Sequence, residues 1–93
     1  MDEFLESIKK EVDLLTTRIN QKKMIIVLAS TLEDSKYDYS AVLNFHVIIN
    51  SCIQLGNYRR VCRFIVLVKK VMNDIEKNEK KYIEQLTNYI VTE

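Results

Sequence analysis

His46 is the only histidine of the chain, and Cys52 and Cys62 are its only cysteines, so any nucleophilic or transition-metal chemistry would have to be built around these three. His46 lies between Phe45 and Val47 in a strongly apolar segment, which predicts a packed core or interface histidine rather than a base or a ligand. A metal ion needs several His, Cys or carboxylate groups converging, and no spacing here supplies such a cluster. Gly56 is the only glycine, so there is no glycine-rich loop to cradle a phosphate. No Cys–His spacing reads as a nucleophile with its base. A helical hairpin turning at Gly56–Asn57 would set Cys52 and Cys62 nearly opposite each other, yet in an intracellular chain they are expected to be reduced packing thiols. Arg18 and Lys22 share a face of the first helix, as an enzyme with bases converging inside a helical bundle would need, but no catalytic motif accompanies them. The expectation is a protein that is not an enzyme and takes no cofactor.

The charges show a clearer pattern. Lys plus Arg is 14 and Asp plus Glu is 13, a formal net charge of +1, which argues against a nucleic-acid coat protein or a polybasic tail. No acidic residue occurs from Ala41 to Met72, whereas Arg59, Arg60, Arg63, Lys69 and Lys70 all fall there. On one continuous helix Arg59, Arg63, Lys70, Lys77 and Lys81 fall within about 40° of one another. They form a candidate anion-binding stripe for nucleic acid, a membrane surface or an acidic protein segment. Tyr58 is the only aromatic residue near its basic end, so bases have little to stack on.

Helices must carry these groups. With one glycine and no proline in 93 residues, the chain lacks turn punctuation. In the first segment Leu5, Val12, Ile19 and Ile26 recur every seven residues, and Ile8, Leu15, Lys22 and Ala29 form the matching series. Written as a heptad these are a and d, with Lys22 alone breaking the apolar seam and Lys9, Glu11, Arg18 and Lys23 on its rim. The pattern predicts a helix over about 2–29. Residues 30–39 read as a linker in which Ser30 and Glu33 have capping-box spacing.

A second helix is expected over about 40–55, capped by Asp38 or Ser40 and ended by Gly56 in the left-handed conformation. Its apolar residues cover more than one face, which predicts the most buried helix of the set. A third is expected over about 57–91 as one rod, with Val61, Phe64, Ile65, Val68, Val71, Met72 and Ile75 on one arc and Tyr82, Ile83, Leu86, Tyr89 and Ile90 continuing it. A break near 76–80 would instead make a fourth helix. Strands at Met24–Ala29 and Phe64–Val68 are the rival reading, disfavoured because both runs stay in phase with longer helical patterns.

The sequence therefore predicts one all-α domain over 1–93, a three-helix antiparallel bundle (four-helix if the last rod breaks) with long helices and coiled-coil-like packing. The acidic start and the short apolar runs predict a soluble intracellular protein of the cytoplasm, the nucleus also being open, with no membrane span. The hairpin around Gly56 has a passing likeness to a tetratricopeptide unit, but Ile49 and Val61 stand where that pattern wants small residues.

The predicted function is a non-enzymatic protein–protein interaction module (a small adaptor, assembly subunit, inhibitor or chaperone-like protein). Its interaction seam would be Leu5, Ile8, Val12, Leu15, Ile19, Lys22 and Ile26, with homodimerisation the expected use. A nucleic-acid-binding regulator using the basic stripe is the alternative.

Overall fold

The computed structural model describes residues 2–31 and 37–92. These residues form six helices and, among the described residues, no strand: α1 (Asp2–Gln21), α2 (Lys23–Ser30), α3 (Tyr39–Leu43), α4 (Phe45–Gln54), α5 (Tyr58–Lys77) and α6 (Glu79–Thr92). Both segments for which strands were the rival reading are helical.

Each of the three long predicted helices is interrupted once. The first breaks at Lys22 (φ −109°, ψ 15°), the second at Asn44 (φ −98°, ψ 18°) and the third at Asn78 (φ −103°, ψ 11°). All three residues occupy the bridge region of backbone space. Asn44 and Asn78 leave the helix by the same device. The side-chain Nδ2 of each donates to the carbonyl four residues back, Ser40 O at 3.1 Å and Asp74 O at 2.9 Å. A short amide that binds the local backbone competes with the regular helical ladder. The single rod expected over 57–91 is thus two helices, with the break inside the alternative window at 76–80.

Other local signals act as anticipated. Gly56 adopts φ 71°, and the turn closes with Asn57 N–H donating to Cys52 O (3.0 Å) and Gly56 N–H to Ile53 O (3.0 Å). That is the Schellman arrangement. Asn57 then caps α5 by accepting from Arg60 N–H. Of the two expected caps for the second helix, Asp38 is the one used, accepting from Ala41 N–H. Glu33 of the expected capping box lies outside the described residues, and Ser30 Oγ donates back to Val27 O.

Cross-links between helices show how they align. Lys69 Nζ meets Glu11 Oε2 at 2.7 Å, Arg18 meets Glu76 at 2.9 Å, and Lys22 Nζ meets Glu79 at 2.9 Å. The rings of Phe4 and Tyr58 meet edge to face. Partners advance together along both helices, so α1 and α5 lie side by side and run in the same direction. The segment between them runs the opposite way, pairing Phe45 with Phe64 and Tyr37 with Asp74 against α5. The described residues span 55 × 19 × 16 Å, a long body about two helix diameters thick.

The core follows from this alignment. Ile8, Val12, Leu15, Ile19, Ile26 and Ala29 from α1 and α2 bury against Val61, Ile65, Val68, Val71, Met72 and Ile75 of α5 and against Val42, Phe45 and Ile49. Both main sets repeat at alternating spacings of four and three, the seam of two helices packed along their length.

Candidate functional site

The seam expected to receive a partner is filled by the chain itself. Ile8, Val12, Leu15, Ile19 and Ile26 are each less than 7% exposed, and Leu5 is half-buried. Those on α1 face α5 and α4, and Ile26 on α2 is enclosed by α3, α5 and α6, so this surface is not open to a second copy. Lys22 is the exception, half-buried, with Nζ 2.9 Å from both carboxylate oxygens of Glu79. Glu79 holds the corresponding place on the other side. The α5 seam runs 61, 65, 68, 72, 75, and the next step of four lands on Glu79. Sequence reasoning registered Glu79 only as an interruption, although its heptad phase marks it as the partner of Lys22.

The basic stripe stands on the outside. Arg59, Arg63, Lys70 and Lys77 are exposed on α5, and Lys81 is exposed beyond the Asn78 break on α6. None of the five makes an ion pair among the described residues, the cations paired there being Arg18, Lys22 and Lys69.

A second surface emerges beside that stripe. The second predicted helix is not buried all round. Phe45, Ile49 and Cys52 point into the core, whereas Ile48 is half-buried and Val47 exposed. His46, expected as a core or interface residue, is exposed, with Asn50 Nδ2 3.3 Å from its Nδ1, because it follows Phe45 by one residue and so turns about 100° away from the face that buries Phe45, Ile49 and Cys52. The side carrying Ile48 lines a hollow of about 280 Å³ with Cys52, Phe64, Leu67, Arg60 and Arg63. Phe64 and Leu67 also line a second hollow of about 280 Å³, completed by Tyr37, Asp38, Ala41, Val42 and Val71. Sharing Phe64 and Leu67, the two hollows lie end to end between α3–α4 and α5, from Arg60 to Val71, roughly 17 Å along the α5 axis, and are taken together as one groove.

The floor of the groove is apolar and its ends are not. Arg60 and Arg63 stand at one end, and Asp38 and Tyr37 at the other. The Tyr37 hydroxyl donates to Asp74 Oδ2, and this bond, burial and the Asp74 charge raise its pKa, so the phenol is held as a neutral donor. Tyr39, buried beside it, is raised chiefly by burial and secondarily by Tyr82. Leu67 is 48% exposed.

The same surroundings limit the chemistry. Both cysteines are free, Cys52 buried and Cys62 exposed. Among the described residues no group of three or more His, Cys, Asp or Glu could hold a metal ion. No helix among them is long and apolar enough to cross a membrane. The arrangement can bury an apolar ridge of another molecule and offer it cations along one edge.

Comparison with family models, with curated proteins and with solved structures finds no match for this chain.

Proposed function

We propose that this chain is a non-enzymatic protein-interaction module, an up-down-up bundle of three rods whose docking surface is the groove between α3–α4 and α5. The supporting observation is that concave apolar groove, in which Phe64 and Leu67 stay partly open while the heptad seam is consumed internally. Contiguous apolar surface with a charged edge is how helix-in-groove recognition begins.

The test is a displayed library of amphipathic helical peptides selected on the wild-type chain and counter-screened on Leu67→Glu. Leu67 is half open, so the variant should keep its helical circular dichroism. Selected peptides that lose binding to Leu67→Glu support the reading. No enrichment, or enrichment indifferent to Leu67, refutes it.

Self-association through the groove is examined by light scattering across a tenfold concentration range. A dimer that Leu67→Glu dissolves would make a second copy the occupant.

Arg59, Arg63, Lys70, Lys77 and Lys81, which make no ion pair among the described residues, favour nucleic-acid binding as the second reading. Binding would then weaken steeply with salt through counterion release. Flat anisotropy with duplex and single-stranded probes at ~50 mM salt would dispose of it.

A further inference from the structure

Resting on the groove reading, we infer that its occupant is an acidic amphipathic helix of about three turns from another protein, seated with its carboxylates against Arg60 and Arg63. Length comes first. From Arg60 to Val71 the α5 wall rises roughly 17 Å, the axial span of eleven helical residues. On that wall Phe64 and Leu67 stay partly open and Val71 closes the far end as a buried base, at spacings of three and four; Ala41 and Ile48 face them seven apart, with Cys52 buried four residues further on. Such rows are ridges that accept the ridges of one further helix.

Charge then fixes the kind of helix. Arg60 and Arg63 make no ion pair among the described residues, and Arg59 and Lys70 stand exposed on the same helix. Between Ala41 and Met72 the chain contains no carboxylate to neutralise them. Asp38, at the opposite end, already caps α3 by accepting from Ala41 N–H. The groove therefore offers net positive charge along an apolar floor. A basic helix would meet repulsion, and an uncharged one would leave both guanidiniums unmatched.

An acidic peptide suits the site better than nucleic acid does. The groove has two rings among the described residues, and both are engaged: Phe64, beside Arg60 and Arg63, packs on Phe45 with centroids 5.6 Å apart, and Tyr37, at the other end, donates to Asp74; Tyr58 is engaged edge to face with Phe4. Nucleic acid bound here would find phosphate contacts and little stacking.

The peptide library above decides the matter if its apolar positions are fixed and the remaining positions sample Glu, Lys, Ser and Ala equally. Peptides selected on the wild-type chain should concentrate Glu in one terminal turn. Their binding should weaken about five- to tenfold on Arg60→Glu/Arg63→Glu, since each exposed pair contributes modestly. Selection on that double variant should reverse the preference to Lys. Both arginines are exposed, so the variant should keep the wild-type fold by circular dichroism. Leu67-dependent peptides with equal Glu and Lys content would overturn the acidic partner and leave the groove reading standing. Peptides indifferent to Leu67→Glu would overturn both. A groove-dependent dimer in light scattering, or duplex probes binding the wild type and not the arginine variant, would overturn the acidic helix in favour of a second copy or nucleic acid.

Discussion

Lys22 and Glu79 sit where two neighbouring, parallel helices break at the same level, with Nζ 2.9 Å from both carboxylate oxygens. Their side chains are 30% and 29% exposed, so water screens the pair, and its worth is about 0.5–1 kcal/mol rather than the several expected of a fully buried one. Both occupy positions that an apolar residue would fill. Lys22→Met should leave Glu79 half-buried without its cation, and Glu79→Met should leave Lys22 in the mirror situation. Each single variant should lose about 1 kcal/mol, roughly 4–8 °C in Tm for a chain of this size. The double variant closes the seam with apolar side chains, and ion pairs replaced in this way are often neutral or stabilising. It should match or exceed the wild type, giving a coupling energy of about 2 kcal/mol or more between the two sites. Urea unfolding followed by circular dichroism measures this directly, with unchanged m-values confirming that the denatured states are comparable. If the double variant loses the sum of the two single losses, the pair does not act as a unit and the reasoning fails.

Three further outcomes follow from the same geometry. Tyr37, through its hydrogen bond to Asp74, and Tyr39, through burial, are raised above the ordinary tyrosine value of 10.0 in the folded chain. Their stabilising contribution is therefore complete below about pH 10 and is lost as pH climbs through the folded values. Absorbance titration near 295 nm should show a late-ionising fraction that Tyr37→Phe/Tyr39→Phe removes, and an unchanged curve would contradict this. Gly56→Ala should cost about 1–2 kcal/mol in thermal unfolding from its φ of 71° alone, since an added Cβ meets nothing within 4 Å; an unchanged Tm would refute it. A thiol reagent should modify exposed Cys62 rapidly and buried Cys52 only as the chain opens; equal rates would show that the α4–α5 packing is looser than described.

The heptad seam was legible because burial along a helix imposes its period on residue type, and Ile8 through Ile26 obey it. The breaks at Asn44 and Asn78 were less legible because each preserves the phase of the helix it interrupts. Asn78 N–H still donates to Asp74 O and Tyr82 N–H to Asn78 O, so the apolar arc continues across a discontinuity of one residue. A periodicity argument is blind to such a break, and the asparagine amide is the only local sign of it. The groove was not legible for a different reason. Apolar residues on more than one face of α4 look the same whether a neighbour covers the second face or nothing does. Ile48 and Leu67 acquire their meaning only because no other helix covers them among the described residues, which depends on topology. The core half of the His46 reading fell to the same ambiguity, since Phe45 beside it points into the core whereas His46 and Val47 are exposed.

Pairing along α1 and α5 also explains why a chain of net charge +1 can present a strongly one-sided surface. Glu11, Glu76 and Glu79 are engaged by Lys69, Arg18 and Lys22 along the α1-facing flank of α5. Those carboxylates are held away from the opposite flank, where Arg60 and Arg63 border the groove. The flank left basic is also the one left apolar, because its cover comes from α3 and α4, together about 25 Å of helix against a 55 Å body. Exposed apolar side chains occur elsewhere, at Met24, Val27, Ile83 and Ile90; of these Ile83 lines a hollow with Lys77 and Lys80, but among the described residues it is the one apolar side chain there, and Glu76, Glu79 and Glu84 share the lining and offset both cations. Concavity, apolar floor and unmatched positive charge coincide between α3–α4 and α5. Their coincidence, more than the amount of exposed hydrophobic surface, makes this groove the place to look for a partner.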